Sequence, residues 1–340
     1  MRTKWLAAIA CLPLLAGCGK RPLYSQTTGD DAYPTLRIQQ VATQVGQASW
    51  PIEAFFRDPP AESSYQREIA QWRHDREARL RAEGGWLTVT GLFWLREGAN
   101  GFGSGAANRI VLPNGPVRAG VFELRGGKVT VRMNGTSSGQ ASIGASQAEA
   151  SNGASQGEAL RELRPDSDDV AHCGRLSLFV IKRGDRYGIR LKDPQSELLK
   201  AFHGLEYFPA REEYRITAKF VAEPRKIPIA NVLGQTEPED SPGYVVFQVS
   251  GREVRLYPVL DEPDSKELSF IFRDLTSGKE TYGAGRFLDT ELPHDGKVVL
   301  DFNKAYNPPC AFTPYATCPL PPKENRLSVR IEAGEKNYGH

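Results

Sequence analysis

The first regular pattern along the chain is helical. From Ser64 onward, one set of positions recurs every three or four residues with charged residues between them, and Gly84-Gly85 ends the run. The residues of this face are Tyr65, Ile69, Trp72, Arg76 and Leu80. The sequence therefore predicts an amphipathic helix over residues 64–83.

Beyond Trp86 the pattern changes to a period of two. Short stretches rich in β-branched residues are bounded by turns, and Gly126-Gly127 and Gly184-Asp185 stand where hairpin turns are expected. The predicted strands include residues 87–89, 121–124, 128–131, 176–181, 186–191, 214–220, 244–249, 254–257, 268–272, 298–302 and 327–331. Such a series predicts a mainly β fold, an antiparallel sandwich or barrel-like sheets with one N-terminal helix.

One segment interrupts the series of strands. Residues 134–160 are poor in large apolar side chains, and the tetrapeptide that begins at Gly144 recurs at Gly153. Because such a segment cannot bury a core, we predict a low-complexity insertion that forms an expanded surface loop. The β-rich domain that contains it is expected to span residues 51–340.

The N-terminal segment has the pattern of an export signal. Arg2 and Lys4 precede an apolar run that is shorter than the ~20 helical residues that span a bilayer, and small residues lead into Cys18. We predict a lipoprotein signal peptide over residues 1–17, lipidation of Cys18, and a flexible tether over residues 18–50. An ordinary signal peptide followed by an unrelated cysteine is the alternative.

Lipidation would make the membrane a partner of the protein. Two or three acyl chains hold a protein on a bilayer permanently, since each buried CH₂ adds ~0.8 kcal/mol. Gly19 follows the cysteine, where an aspartate often retains such proteins in the inner membrane. We therefore expect an outer-membrane lipoprotein of the cell envelope, on the periplasmic or the surface face of a two-membrane cell.

Charge and composition narrow the function further. Removing residues 1–17 takes away Arg2 and Lys4 and leaves 41 of the 43 basic residues against 41 acidic ones. A formally neutral chain argues against nucleic-acid binding through phosphate contacts. The five histidines show no metal-ligand spacing, and no phosphate-binding loop is found, so the sequence predicts neither a metal site nor a cofactor.

The last third of the chain carries its most distinctive polar pattern. A strand that ends in Asp301 and Asn303 is followed by an irregular, proline-rich segment, which is a common way to present polar groups from a rigid support. We predict a ligand site around Asp301–Lys336. Its candidate residues are Arg286, Asp301, Asn303, Tyr306, Asn307, Glu324, Asn325, Glu335 and Lys336. Arg286 is expected to pair with Asp301 or to hold an anionic ligand. The alternative is that these groups cap one another and hold a long loop.

The cysteines of this segment have two interpretations. Cys310 and Cys318 enclose a short loop, and an exported location permits a disulfide between them, which typically contributes ~2–4 kcal/mol. Alternatively, both are reduced and line a site. Cys173, which precedes a predicted strand, is expected to be a small buried apolar residue.

The same third of the chain resembles a known family, the domain-of-unknown-function family 1684. The stretches that carry the resemblance are Asp301-Phe302-Asn303, Tyr306-Asn307-Pro308-Pro309-Cys310, Cys318-Pro319-Leu320-Pro321-Pro322 and Gly334-Glu335-Lys336, with Gly91-Leu92-Phe93-Trp94-Leu95 and Phe202-His203-Gly204-Leu205 upstream. The resemblance covers roughly residues 65–340. It implies a shared fold and a shared site but no activity.

Functions from different classes stay open at this point. The first is a lipoprotein that binds an unknown ligand, or serves the cell envelope, through the polar site. The second is an exported hydrolase that acts on envelope polysaccharide with Asp301 or Glu324 as general acid or base. Paired carboxylates ~5–10 Å apart would be the mark of that chemistry. A purely structural scaffold is the third.

Overall fold

The chain folds into a mainly β structure with one long N-terminal helix, as the sequence predicts. This computed structural model describes residues 63–134, 141–144, 160–260, 262 and 264–339. The predicted signal peptide, Cys18 and the predicted tether lie outside the described residues. Within the described part, no helix is both long enough and apolar enough to cross a membrane.

Helix α1 spans Ser64–Arg81 and begins with a capping box. The Ser63 hydroxyl accepts a hydrogen bond from the Gln66 N–H at 3.1 Å, and the Gln66 side chain accepts one from the Ser63 N–H at 3.0 Å. The helix ends at Arg81, not at the predicted residue 83, because the backbone is already extended at Ala82.

The buried face of α1 is the predicted one. Tyr65, Ile69, Arg76 and Leu80 are buried, and Trp72 is half-buried. Residues four apart on a helix share a face, so the sequence pattern was sufficient to find this surface. It packs against the C-terminal third of the chain.

The described residues form sixteen strands and one further short helix. The strands are β1 (Val89–Trp94), β2 (Gly98–Gly103), β3 (Ile110–Val111), β4 (Gly120–Arg125), β5 (Lys128–Met133), β6 (Ala141–Gly144), β7 (Arg161–Leu163), β8 (Val170–Cys173), β9 (Leu176–Arg183), β10 (Arg186–Lys192), β11 (Arg215–Ala230), β12 (Thr236–Val249), β13 (Arg252–Leu256), β14 (Glu267–Phe272), β15 (Arg286–Glu291) and β16 (Lys297–Asp301). Helix α2 (Glu197–Lys200) connects the two halves of the series. Among the paired strands of the described residues, only β2 and β3 run parallel to each other.

The first ten strands build two five-stranded sheets, in the orders β1-β10-β9-β8-β6 and β3-β2-β4-β5-β7. Apolar residues from both sheets form one core, in which Phe102, Phe122 and Leu178 are fully buried. The predicted hairpins β4–β5 and β9–β10 are present. Gly126 and Gly127 have φ values of 54° and 80°, and such positive values favour glycine in a two-residue hairpin turn.

A second core lies in the other half of the chain. This core is formed by the sheet β13-β12-β11-β16, the hairpin β14-β15 and the segment after β16, residues 302–339, which we call the C-terminal segment. Phe270, Phe272 and Phe302 are fully buried there. Strands β11 and β12 are longer than the predicted residues 214–220 and 244–249. Their far ends pair through the backbone, as at Lys226 and Asp240, and residues 236–240 of β12 are too polar to show the apolar alternation that sequence patterns detect.

Residues 327–331 were expected to form a strand, and this expectation is wrong. Their side chains alternate between buried and more exposed positions, which explains the prediction. The backbone, however, bonds partly to residues 273 and 275 after β14, through Leu327 and Val329, and partly to side chains, and it forms no continuous strand. The Ile331 N–H donates to Asp274 at 2.6 Å, and the Ile331 carbonyl accepts from Arg286 at 3.0 Å.

The predicted insertion at residues 134–160 lies mostly outside the described residues. Within it, Ala141–Gly144 forms β6 and pairs antiparallel with Val170–Cys173. This part of the insertion therefore adds a strand to the edge of the first sheet.

Candidate functional site

Asp301 ends β16 and binds helix α1. Its Oδ1 accepts hydrogen bonds from the Tyr65 hydroxyl at 2.8 Å and from the backbone and side-chain N–H groups of Asn303, both at 3.2 Å. Asn303 also donates to the Tyr65 hydroxyl at 2.7 Å and bonds both backbone groups of Arg211. Burial raises the pKa of Tyr65, and the hydrogen bond to Asp301 raises it further. The two predicted residues thus join α1 to β16.

Glu335 forms a second network with the same helix. Its two oxygens accept from the Arg76 Nε at 2.8 Å and from the Asn307 N–H at 2.7 Å. Arg76 also donates to the Asn307 carbonyl at 2.9 Å and lies 4.7 Å from the centre of the Tyr306 ring. Burial alone would lower the pKa of Arg76, but the Glu335 carboxylate outweighs it and raises that pKa. The charges compensate each other inside the protein.

Arg286 lies in a third network, and its carboxylate partner is Asp274 and not Asp301. The Arg286 Nη2 is 3.5 Å from Asp274 Oδ1, and both side chains are fully buried. The guanidinium also donates to the carbonyl oxygens of Ile331 and Ala333. Burial lowers the pKa of Arg286, and Asp274 opposes that change.

Asn325 and Glu324 stand side by side in the chain but differ in their contacts. Asn325 is buried, donates to the carbonyl oxygens of Tyr257 and Ile271 at 2.8 Å and 2.9 Å, and accepts from the Tyr257 N–H. Glu324 has one buried oxygen without a hydrogen-bond partner among the described residues. The other Glu324 oxygen lies 3.9 Å from the Lys323 ammonium, and no contact among the described residues pairs Glu324 with Asp301.

The two remaining predicted residues, Tyr306 and Lys336, are half-buried. The Tyr306 hydroxyl donates to Asp289 at 2.6 Å, and the Asn307 side chain donates to the Lys336 carbonyl at 2.7 Å. The Lys336 ammonium lies 5.4 Å from the centre of the Phe208 ring. The structure thus distributes the predicted site residues over several networks that hold the C-terminal segment to α1 and to the sheet.

The two cysteines of the segment are neighbours. The Cys310 N–H donates to the Cys318 Sγ at 3.1 Å, yet both residues are free thiols, so the predicted disulfide is not formed in this structure. Cys318 is fully buried, whereas Cys310 is half-buried. The hydrogen bond between the two cysteines lowers the pKa of Cys310, and burial raises the pKa of Cys318. Cys173 is free and buried, in agreement with the sequence.

Beside these thiols lies an arginine that the sequence analysis missed. The guanidinium of Arg190, on β10, stands 4.8 Å from the centre of the Trp86 ring. Its Nε and Nη2 are buried and have no hydrogen-bond partner among the described residues. Burial, helped by the charge of Arg183 and opposed by Asp166 and Cys318, lowers the pKa of Arg190 to about 10. At neutral pH, Arg190 is therefore a buried cation.

Other polar groups surround Arg190. Lys192, two residues further along β10, donates to the Gly84 carbonyl at 2.7 Å, and burial together with Arg190 lowers its pKa to about 8. On β1, which pairs with β10, the Thr90 hydroxyl is buried and lacks a partner in the described part of the chain. Arg183, on β9, bonds Asp166 at 2.9 Å.

The C-terminal segment covers this side of the sheet. The Thr313 hydroxyl donates to the Val89 carbonyl at 2.9 Å, and Arg183 donates to the Thr317 hydroxyl at 2.8 Å. Cys318 follows Thr317 directly, and the Cys318 thiol and the Arg190 guanidinium lie close enough to affect each other's pKa. The contact between Thr313 and Val89 joins residues 224 positions apart, which no local pattern could have predicted.

A sequence signal for part of this group does exist. Arg186, Arg190 and Lys192 occupy alternate positions of β10, while the intervening Ile189 and Leu191 enter the core. Alternate residues of a strand share a face, so the sequence places these cations together. Elsewhere in the described residues, no group of three or more His, Cys, Asp or Glu side chains is placed to hold a metal ion.

The fold and these contacts define a mainly β protein with a thiol pair in its C-terminal segment. Residues 200–336 match the model of a family described as "Protein of unknown function (DUF1684)". An uncharacterised protein of Haloarcula marismortui, solved by solution NMR, is 30% identical over 42% of this chain and 80% of that chain, with a TM-score of 0.36. None of the curated proteins compared with the chain matches it. The match over residues 200–336 supports the resemblance to this family that the sequence indicates.

Proposed function

We propose that the β-rich domain binds a small anionic ligand at Arg190. The observation that carries this proposal is the pair of buried Arg190 nitrogens, Nε and Nη2, without a hydrogen-bond partner among the described residues. A buried charge is costly unless it is paired and hydrogen-bonded. Asp166, a carboxylate whose charge reaches Arg190, is itself bonded to Arg183. An added anion would supply the missing partner.

The donors also indicate the ligand class. Nε and Nη2 are adjacent N–H donors on one edge of a planar guanidinium, and this edge matches two oxygens of a carboxylate, phosphate or sulfate group. Lys192 adds positive charge, and the Thr90 hydroxyl adds a further unpaired polar group on the neighbouring strand. The Trp86 ring offers an apolar face beside them. A small molecule with one such acidic group fits this set.

Calorimetric titration of the full chain with sodium acetate, phosphate and sulfate tests the proposal. Arg190→Met should weaken binding of the best probe at least tenfold, because the bidentate donors are lost; tenfold corresponds to about 1.4 kcal/mol. Arg186→Met is the matched control, since Arg186 lies on the same strand but is exposed and stacks on Trp94 at 3.9 Å. Equal binding by wild type and Arg190→Met, or no binding of any probe, would contradict the proposal.

The pH dependence gives a second test. Sulfate keeps its charge between pH 7 and 9, whereas Lys192, with a pKa of about 8, loses most of its proton over this range. Sulfate affinity should therefore fall as the pH rises, although Arg190 stays largely protonated. In Lys192→Met the fall should be absent. The same fall in that variant would exclude Lys192 as its cause.

We also propose that this domain is carried on the outer membrane by lipid at Cys18. The apolar run and the small residues before Cys18 support this, and Gly19 favours the outer membrane. In cells grown with labelled palmitate, Cys18→Ser should incorporate no label and should accumulate as a precursor. Cys11→Ser, within the apolar run, is the matched control and should be labelled normally. Normal labelling of Cys18→Ser would refute the anchor.

A further inference from the structure

We propose that Cys310 and Cys318 form a reversible thiol–disulfide pair that reduces low-molecular-weight disulfides, with Cys310 as the attacking thiol. The proposal starts from proximity. The Cys318 Sγ lies 3.1 Å from the Cys310 amide nitrogen, which is attached to the same Cα as the Cys310 side chain. Rotation of the side chains is therefore enough to bring the two sulfurs together, within the short Cα separation that a disulfide requires.

The two thiols differ in accessibility, and the difference assigns their roles. Cys310 is half-buried and can meet a small molecule, whereas Cys318 is fully buried and cannot. The hydrogen bonds of Cys310 with Cys318 and with Tyr282 lower the pKa of Cys310, while burial raises that of Cys318. Because the thiolate is the nucleophile, charge and accessibility favour the same residue for the first attack.

The segment that carries both cysteines is held in place. Thr313 and Thr317, which lie between them, are bonded to the Val89 carbonyl and to Arg183. The Tyr282 hydroxyl donates to the Cys310 carbonyl at 3.1 Å. A dithiol that is already held together forms its bond without first ordering a loop, so closure costs little chain entropy. This arrangement favours cycling between the dithiol and the disulfide.

The reaction balances as a two-step exchange. The Cys310 thiolate attacks one sulfur of R–S–S–R, and the first R–S⁻ leaves and takes a proton from solvent. Cys318 then releases its proton, and its sulfur attacks the Cys310 sulfur of the mixed disulfide, which expels the second R–S⁻. One substrate disulfide is reduced to two thiols, and the protein dithiol is oxidised to one disulfide. This chemistry does not require a ligand at Arg190.

Oxidised glutathione provides the test on the reduced full chain. Wild type should form the Cys310–Cys318 bond and release two molecules of reduced glutathione for each bond, and excess reduced glutathione should reopen it. Cys318→Ser should trap one glutathione on Cys310, because the resolving thiol is missing. Cys310→Ser should carry none at Cys318. Cys173→Ser is the matched control and should behave as wild type. Peptide mapping by mass spectrometry reads every outcome.

Three results would overturn the proposal. The first is wild type in which both thiols remain free after the same exposure. The second is glutathione attached to Cys318 of Cys310→Ser as readily as to Cys310 of Cys318→Ser. The third is a bond that forms but stays closed in excess reduced glutathione, which would make it a structural disulfide. The alkylation rates in wild type need no variant: iodoacetamide should modify Cys310 at least tenfold faster than Cys318, and equal rates would remove the assigned roles.

Discussion

Two regions of this domain bury arginines in opposite ways. Under helix α1, Arg76 meets the fully buried Glu335 at 2.8 Å and also donates to a backbone carbonyl. On the face of the first sheet, Arg190 has two buried nitrogens without a partner in the described part of the chain. Both arginines lose much of their contact with water. Among the described residues, only Arg76 finds a hydrogen-bond partner for each of its buried nitrogens.

The difference separates two uses of a buried charge. An ion pair that is complete inside the protein belongs to the fold, and removing one partner leaves the other uncompensated. A buried cation without a partner destabilises the folded state. Functional sites often carry such local costs, and the missing partner is then the ligand. Most of the distinctive C-terminal residues therefore stabilise the fold, whereas Arg190 is the residue that we expect to bind a ligand.

The largest effect is expected at the complete pair. Glu335→Gln leaves Arg76 as a buried cation without a counter-charge, so the free energy of unfolding should fall by about 3–5 kcal/mol in a urea titration. Glu197→Gln is the control, because Glu197 pairs with Lys200 at the surface, where removal of an exposed pair costs about 0–1 kcal/mol. Equal small losses in both variants would remove the distinction.

A smaller loss is expected for Asp301→Asn. The amide can keep the oxygen that Tyr65 bonds, but it places an NH₂ group where the present Oδ2 is buried without a partner among the described residues. An unsatisfied buried donor costs about 1–3 kcal/mol, so thermal and urea unfolding should both show this loss. An unchanged stability together with lost binding of the anionic probe would return Asp301 to the ligand site.

The smallest effect, and the opposite in sign, is expected for Arg190→Met. This change removes an uncompensated cation and keeps an apolar stem beside Trp86. The free energy of unfolding should stay the same or rise by up to about 1 kcal/mol in a urea titration without anions. A loss above about 2 kcal/mol would show that Arg190 is held within the fold after all, and the two regions would then be alike.

Local sequence patterns predicted much of the fold because they show which face of a helix or strand is buried. The helical period found the buried side of α1, and glycine-containing turns found the hairpins β4–β5 and β9–β10. The same reasoning failed at residues 327–331, where the side chains alternate as in a strand but Arg286 and Asp274 bond the backbone. Alternation of apolar and polar residues shows which side chains are buried, but it does not show which groups the backbone bonds.

The candidate site was less accessible to prediction. The sequence indicated the polar C-terminal residues, but which groups pair depends on strand register. Arg286 stands opposite Phe272 in the hairpin β14–β15, and this register brings it to Asp274, two residues beyond Phe272, and not to Asp301. Arg190 was missed because its importance rests on absent partners and on a distant segment that covers it. Neither property is visible in the strand itself.

The position of helix α1 has a mechanical consequence. The helix is the first described element of the chain, and it is bonded to the C-terminal third of the chain near both of its ends, through Tyr65 to Asp301 and through Arg76 to Glu335. A pull that enters from the N-terminal side must break these bonds, or unwind the helix, before it reaches the first strand at Val89. The helix therefore acts as a mechanical stop that shields the sheets from tension applied along the chain.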